Sequence, residues 1–435
     1  MNRPATALPR LAIVYDNGAV SPVEIAHAAT GLCDIVLVLD PSAPAVAASL
    51  PVLEAIGTLV PHPPGTAAEK TGRRLAELGV SGITTFTDAL LGDTAELART
   101  LGLRFHTPEV AQRLADKLHQ RARLAAAGMP VVRFAELSCA AGIEEALATV
   151  RLPAVLKPRE GAGSRSTFPV ATAEEFRRVA GELLAAGEDR LIAEERLVGD
   201  PDVAGARWGD YVSVESVVDG DRITHIGITG KLPLVEPFRE SGVFFPSTLP
   251  ETAANAVLDG TTQALRALEV TSGVTHTEFK LTPEGPRLIE VNGRLGGFVN
   301  DLVSRSTGVG MLRIALENAL AAGAPVPARI DAAAAGAEPP RIAFQRFAPP
   351  PVTAVAVDRV EGAKEARRIP GVVRVEVVRR PGEPVDWRRG TQSFAAIVYG
   401  RTAGHRELDA TLAAVDDTLR ITYAARPHAP AGLSS

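Results

Sequence analysis

The stretch His276-Thr-Glu-Phe-Lys-Leu-Thr-Pro-Glu-Gly-Pro-Arg-Leu-Ile-Glu-Val-Asn-Gly-Arg294 reads as two β-strands around a turn at residues 282–286. The Pro-Glu-Gly-Pro cluster there continues neither strand. With the hairpin centred on Glu284, Leu281 faces Arg287, Lys280 faces Leu288, Glu278 faces Glu290 and His276 faces Asn292. Side chains alternate along a strand, so His276, Glu278, Glu290 and Asn292 share one sheet face. Two carboxylates directly opposite each other repel and destabilise a bare hairpin. A divalent cation between them reverses that sign, and carboxylate and amide oxygens are the hard ligands that Mg²⁺ takes, alongside waters and substrate phosphates. Either glutamate alone is more simply a solvated strand residue. Glu278, Glu290 and Asn292 together, followed by Gly-Arg-Leu-Gly-Gly, read as a metal site.

A chain of 435 residues has room for two or three domains with large cores. Its 46% hydrophobic and 22% charged content is that of an ordinary soluble globular protein. A net charge of −5, with basic residues scattered, provides no electrostatic footprint for nucleic acid or an anionic membrane. Cys33 and Cys139 lie far apart without a Cys-x-x-Cys pattern; they suit a reducing compartment and read as small core hydrophobes. The apolar run at 11–15 is too short for a signal peptide, and none reaches membrane-spanning length, so a cytoplasmic protein is expected.

Residues 1–108 alternate strand signals (11–15, 34–39, 80–86) with helical ones (69–78, 89–101), which predicts a doubly wound parallel α/β sheet. The turn after the first strand, Asp16-Asn-Gly-Ala, lacks the Gly-x-Gly-x-x-Gly pattern of a dinucleotide site. Residues 108–128 read as one helix from Pro108 to Gly128. Further on, the pattern predicts helices at 143–150, 172–184 and 252–269, strands at 152–157 and 191–194, and a loose loop at 199–209. A hairpin is expected from 211–218 and 222–229 around Asp219-Gly-Asp221. The Ala-, Pro- and Gly-rich stretch 321–340 reads as a linker. Beyond it, strands at 341–347, 352–357, 372–378 and 393–399 and helices at 363–368 and 405–419 predict a small α+β domain, followed by a frayed tail from Ala424.

Lys157 ends the strand Pro153-Ala-Val-Leu-Lys, and the loop Glu160-Gly-Ala-Gly-Ser-Arg-Ser-Thr167 follows at once. Gly161 and Gly163 let the backbone approach an anion, and backbone N–H groups with the Ser164 and Ser166 hydroxyls can bond phosphate oxygens. The loop is no Walker A motif, since the Gly-Lys-Ser/Thr ending is missing. Alone it fits a flexible turn equally well; the lysine before it favours a phosphate role. Lys117, within a helix, and Glu194, after a strand, are by themselves ordinary surface or strand residues. His225 and His276, one at a time, read as satisfied strand histidines.

Together these pieces resemble the ATP-grasp superfamily of carboxylate–amine ligases, most closely its L-amino-acid ligases. The resemblance covers nearly the whole chain, and His276-Thr-Glu-Phe-Lys…Leu-Ile-Glu-Val-Asn-Gly-Arg-Leu-Gly-Gly is its most specific part. It implies an α/β and α+β architecture: an N-terminal α/β domain at 1–108, an ATP-grasp domain at 109–325 with a nucleotide lid at about 130–200, and a C-terminal α+β domain at 335–425. It implies ATP and Mg²⁺ as cofactors, two ions held by Glu278, Glu290 and Asn292, with Mn²⁺ able to substitute. Arg294 would lie against the transferred phosphoryl group. Lys117 and Lys157 would contact phosphates, with Glu194, Glu195 and Leu197 in the adenine-contacting hinge and Asp210 on the ribose. Lys231 would reach the γ-phosphate from a substrate-facing loop, and Glu240 would face the acceptor substrate. Dipeptide ligases of this type often carry Glu-x-Gly/Ser-His in that loop; here Glu240-Ser-Gly-Val243 lacks the His. The implied reaction joins the carboxylate of an amino acid or similar acid to an amine through an acyl phosphate, releasing ADP and phosphate. The same motifs also fit an ATP-grasp enzyme that activates bicarbonate or another carboxylate, or an ATP-binding protein without turnover. The expected partners are small molecules, and homodimers are common among such ligases.

Overall fold

The computed structural model describes residues 7–323, 326 and 341–425. In chain order, β1 (Arg10–Val14), α1 (Pro22–Ala29), β2 (Asp34–Leu39), α2 (Pro44–Ile56), β3 (Thr58–Pro61), α3 (Ala68–Glu77), β4 (Val80–Thr85) and α4 (Leu91–Leu101) alternate strand with helix. Helices α5 (Pro108–Ala115) and α6 (Lys117–Ala126) follow. Next come β5 (Phe134–Leu137), α7 (Ile143–Thr149), β6 (Ala154–Pro158), β7 (Phe168–Val170), α8 (Ala173–Ala185), β8 (Leu191–Glu195) and α9 (Pro201–Ala204). Then β9 (Tyr211–Asp219), β10 (Arg222–Lys231), β11 (Gly242–Phe245), α10 (Glu251–Ala267), β12 (Ser272–Thr282), β13 (Gly285–Asn292), α11 (Val299–Thr307) and α12 (Met311–Ala319) are laid down. The C-terminal part holds β14 (Ile342–Phe347), β15 (Ala354–Glu361), β16 (Val372–Val377), β17 (Ala396–Thr402) and β18 (Arg420–Ala425), with helices Ala363–Ala366 and His405–Thr418.

Two compact units result. The first comprises 7–132, 212–228 and 250–323. Its N-terminal sheet has the order β3-β2-β1-β4, and the pairs at β1–β2, β1–β4 and β2–β3 are all parallel. The strand order reverses at β1, so the sheet is doubly wound as expected. Leu11, Ala12, Ile13, Val36, Leu37 and Val38 are buried because both faces are covered, which is why these strands read as unbroken apolar runs. Ser21 opens α1 with a capping box, its hydroxyl accepting from the Glu24 N–H while Glu24 accepts from the Ser21 N–H. This unit also holds the run β13-β12-β9-β10, with β13 at its edge.

The second unit comprises 133–211, 229–249 and 341–425. Its sheet β5-β8-β6-β7 is antiparallel, and Leu156, Phe176, Ala180, Leu191 and Ala193 form the core between that sheet, α7 and α8. The end of β10 continues through β11, β14, β17 and β16. Phe244, Phe344, Val375, Val398 and Leu408 pack that sheet against His405–Thr418. A separate two-stranded ribbon joins β15 to β18.

Several expectations are corrected. The helix at 108–128 is two helices, because Asp116 adopts an extended backbone and turns its carboxylate back to accept from Leu118 N–H (2.9 Å) and His119 N–H (3.4 Å) as the N-cap of α6. The hairpin turn is tighter than read. Thr282 pairs with Gly285, so Pro283 and Glu284 alone make the turn, and Lys280 faces Arg287 while Leu281 faces Pro286. A bulge between Glu278 and Phe279 takes up the slip, leaving Glu278 opposite Glu290 and His276 opposite Asn292. Cys33 is buried as expected, but Cys139 is exposed. The loop at 199–209 contains α9, capped by Asp200. Ala424 and Ala425 end β18 rather than starting a tail, and the rest of that tail, like most of the linker at 321–340, lies outside the described residues. Strands β3, β5, β7 and β18 and helices α1 and α2 escaped the periodicity reading because they are short or, like α2, apolar on most sides.

His106 stands between α4 and α5 and is buried, one ring nitrogen donating to the Gly293 carbonyl at 3.3 Å. Burial pushes its pKa from 6.5 down to about 4, only partly opposed by that carbonyl. For a base with a depressed folded pKa, the unfolded chain takes the proton first. Its contribution is therefore complete above about pH 6.5 and is lost as pH falls through the folded value. We expect His106→Gln to lower the melting temperature near neutrality and the gap to wild type to narrow on acidification to about pH 4.5. Parallel melting curves at every pH would show that His106 does not titrate in the unfolding transition.

Candidate active site

The first unit concentrates charge on one face of the β12–β13 hairpin. Glu278 and Glu290 are directly opposed there, with His276 and Asn292 the next pair on the same face. Each carboxylate has a cation beside it. Lys117 Nζ, at the first position of α6, lies 3.3 Å from Glu290 Oε2. His276 bridges two acids, with Nδ1 2.6 Å from the fully buried Glu215 of β9 and Nε2 3.1 Å from Glu278. Burial disfavours the imidazolium, but Glu215 and Glu278 outweigh it and push the His276 pKa up to about 9. Asn292 Nδ2 donates to Glu290 at 3.3 Å.

Helix α6 brings Lys117 to this face by treating β13 as an unfinished sheet edge. The Gln120 amide accepts from the Val291 N–H (2.8 Å) and donates to the Val291 carbonyl (2.9 Å), as a neighbouring strand would. Arg121 donates to the carbonyls of Leu288 and Ile289, at the bulge where the ladder is broken. Beyond the hairpin, Arg294 is buried and bonds Asp88 Oδ2 through both Nε (2.9 Å) and Nη2 (2.6 Å). Burial works against its charge, yet Asp88 and then Glu290 and Glu278 raise its pKa above the ordinary arginine value.

In the second unit, Lys157 Nζ lies 2.7 Å from the Glu194 carboxylate on the neighbouring strand, both side chains being nearly buried. Glu195 ends β8, and Leu197 is half-buried just beyond it. Asp210 precedes β9 and packs so closely on Gly199 that a Cβ there would lie 1.9 Å from its Oδ2. Lys231 and Glu240 form a second pair at 2.7 Å, and the ammonium also sits 5.6 Å from the Tyr211 ring centre. The segment containing Val243 is strand rather than loop: Val243 pairs with Lys231 on one side and Gln345 on the other, so these three side chains share a face. Phe244 points the opposite way into the core, against Trp208 and His405.

The glycine-rich loop between β6 and β7 holds Gly161, Gly163, Ser164 and Ser166 at φ of 127°, 64°, 58° and 48°. The two serines accept a left-handed backbone that non-glycine residues seldom adopt. The turn Trp387–Ser393 grips this loop: Thr391 N–H donates to the Gly163 carbonyl (2.9 Å), and Ser166 N–H donates to the Arg388 carbonyl (3.1 Å). A Cβ on Gly390 would lie 1.8 Å from the Gly163 oxygen, and Trp387 meets Phe168 edge-on at 5.5 Å.

Sequence reading missed Glu215 as the partner of His276, Asp88, Gln120, Arg121 and this turn, all of which act across long separations. His225 is the satisfied strand histidine expected, held by Ser216 (2.8 Å) and Thr262 (2.9 Å).

No family model matches the chain. The solved structure of the L-amino acid ligase from Bacillus licheniformis superposes with a TM-score of 0.75 at 21% identity, covering 97% of this chain and all of that one. The fold is that of the ATP-grasp enzymes. The biotin carboxylase domain dimer of the Hydrogenobacter thermophilus 2-oxoglutarate carboxylase, solved with MgADP and bicarbonate, aligns with a TM-score of 0.63 at 15% identity over 96% of this chain and 91% of that one. In sequence, the chain is 29% identical to the uncharacterised protein y4rH of Sinorhizobium fredii over 309 residues, 70% of this chain and 60% of that protein. It is 28% identical to the alanine–anticapsin ligase of Bacillus subtilis over 240 residues, 52% of this chain and 51% of that one. With human carnosine synthase 1 it shares 28% over 280 residues, 57% of this chain and 32% of that one. The match thus spans about half the length, or less, of most of these curated relatives. Among the described residues no helix is long and apolar enough to cross a membrane.

The grip on the glycine-rich loop is testable without knowing the ligand. Gly390→Ala adds a Cβ into the Gly163 carbonyl at a backbone angle of φ 64° and should release the loop. Limited proteolysis within residues 160–167 should accelerate at least about fivefold, with little change in global melting. Unchanged cleavage would mean that Trp387–Ser393 does not restrain the loop.

Proposed function

We propose that the chain is an ATP-dependent carboxylate–amine ligase acting on an amino acid or similar acid. The observation that carries this reading is the opposed pair Glu278 and Glu290, with Asn292 on the same face and Arg294 two residues on, in a chain of ATP-grasp fold whose relatives include amide-forming ligases.

The donor set fits Mg²⁺: hard oxygens, from two carboxylates and an amide, on one strand face. Among the described residues no three His, Cys, Asp or Glu side chains form a closed metal cage. Mg²⁺ retains waters and takes substrate phosphates as further ligands. Glu278, Glu290 and Asn292 would hold it, as one of two such ions, and when bound it supplies charge neutralisation at the phosphates. Arg294 offsets charge on the transferring phosphoryl group, and Lys117 offers a second cation to the phosphates. In the other unit, Lys157, the loop backbone at Gly161 and Gly163 and the hydroxyls of Ser164 and Ser166 contact phosphate. Residues 194–197 meet the adenine and Asp210 the ribose.

The substrate carboxylate attacks the γ-phosphorus of ATP, forming an acyl phosphate as ADP leaves. A neutral amine then adds to the acyl carbon and gives up a proton, and phosphate departs from the tetrahedral intermediate to leave the amide. Excluding water from the acyl phosphate is the task of the glycine-rich loop. Lys231 and Glu240 carry opposite charges beside an apolar Val243, a pairing suited to a zwitterionic substrate of small or apolar side chain.

ADP and phosphate release across amino acids, singly and in pairs, with mass spectrometry of the products, tests the reading. An amide product supports it; turnover with an acid but no amine product would favour a carboxylate- or bicarbonate-activating enzyme instead. Glu290→Gln should lower turnover at least about 100-fold while the melting temperature stays within about 4 °C, since relief of the facing charge is offset by the loss of the Lys117 partner. Near-normal turnover would remove the metal assignment. Val243→His should reorder amino-acid preference more than it changes the KM for ATP, because a hydrogen-bonding group rejects mismatched substrates more sharply than an apolar wall does. A collapse of ATP affinity with unchanged preference would place this strand in nucleotide binding.

A further inference from the structure

We propose that Asp88 is the positioning residue for Arg294, a role that rests on the phosphoryl-transfer reading above. Asp88 opens the short turn Asp88–Leu90 that follows β4. The sheet order reverses between β1 and β4, and open α/β sheets place ligands outside the carboxyl ends of the strands at such a point. Its place is fixed by neighbours. The Ala19 N–H donates to the Phe86 carbonyl at 3.0 Å, and Gly18 lies so close that a Cβ there would meet Thr87 Oγ1 at 2.4 Å. The Thr87 hydroxyl bonds the Asp16 carbonyl at 3.2 Å.

The contact to Arg294 is not the two-oxygen fork in which arginine and carboxylate satisfy each other. Both Nε and Nη2 converge on Oδ2, while Oδ1 is buried and has no hydrogen-bond partner among the described residues. Nη1 donates to the Leu295 carbonyl at 3.1 Å. Of five guanidinium N–H groups, three are thereby committed. One on Nη1 and one on Nη2 remain. The Glu290 and Glu278 carboxylates act on the same guanidinium, so its unfixed alternative is a direct ion pair with a proposed metal ligand. Asp88 provides the competing anchor, keeping Arg294 off Glu290 and holding its free edge in one orientation. The two residues lie 206 positions apart in the sequence.

The experiment compares Asp88→Asn, Arg294→Lys and the double variant by steady-state ADP release under the substrate conditions that give turnover, with melting curves for each. Asp88→Asn should lower kcat about 10- to 100-fold with less than about threefold change in the KM for ATP, as misorientation rather than lost binding predicts. In the Arg294→Lys background the same change should cost little more, because the two act as one unit. Asp88→Glu, which keeps the charge but moves it, should fall between wild type and Asp88→Asn and serves in its place if that variant does not fold. A normal kcat for Asp88→Asn, an effect confined to KM, or full additivity with Arg294→Lys would overturn the inference while leaving the ligase reading intact. A normal kcat for Arg294→Lys and Arg294→Ala would instead overturn the reading on which it rests.

Discussion

Two like charges placed face to face across a strand pair set the terms for the first unit. Glu278 and Glu290 face each other on a half-buried surface, where a pair of unit charges about 4 Å apart repels by roughly 1 kcal/mol in water and about 4 at an effective dielectric near 20. The compensation is structural. Glu290 has Lys117, which requires the chain to break at Asp116 and restart a helix whose first residue meets the sheet. That helix stays in place because Gln120 completes the backbone ladder of β13 and Arg121 takes the carbonyls freed by the bulge. Glu278 has His276, whose other nitrogen is held by Glu215, wholly buried behind it, and the two acids together raise the imidazole pKa against burial. A charge pattern on one face thus dictates a helix break, a helix docking mode and a buried acid on a neighbouring strand.

The sequence makes that face legible, and physics explains what it hides. Alternation put Glu278 opposite Glu290 and His276 opposite Asn292, and both pairings stand. They stand by a cancellation: the turn is one residue tighter than read, and the bulge restores the register. Periodicity carries no mark of a bulge, whose stabilising contacts come from Arg121, more than 160 residues earlier. The doubly wound sheet was legible because buried parallel strands are unbroken apolar runs. The helix break was not, because Asp116 lies in good helical spacing and only its backbone geometry makes it a cap. The site's supporting residues leave no local trace, since Asp88, Gln120 and Glu215 look in sequence like any turn acid, helix amide or strand glutamate.

The same logic accounts for Lys157 with Glu194 and Lys231 with Glu240 in the second unit. Nearly buried ion pairs are poor stabilisers, because desolvation offsets most of the attraction, and apolar residues of similar volume often do as well. Their places, at the end of a strand before a glycine-rich loop and beside a pair of strands with an apolar neighbour, are those that the proposed ligand contacts would require. The loop itself is restrained from a distant segment through Gly390, a position where the approach of two backbones leaves no room for a side chain.

A common arrangement emerges when the cations are taken together. Lys117, Lys157, Lys231 and Arg294 are each held against a carboxylate, and each is a residue to which an anionic group is assigned. A cation kept in place by a carboxylate needs little reorganisation to meet a phosphate, because its side-chain entropy has already been lost in the folded state. What it must do is exchange or share its partner, and the strength of the existing pair sets how readily it does so. Lys117 lies at 3.3 Å from Glu290; under the proposed reading, a metal taken up by that glutamate would weaken its hold on the lysine as phosphates arrive. Arg294 differs: its partner is an aspartate with no other assigned task, doubly bonded and anchored by the N-terminal sheet. On the proposed reading the lysines would share or change partners, whereas the arginine would keep its aspartate.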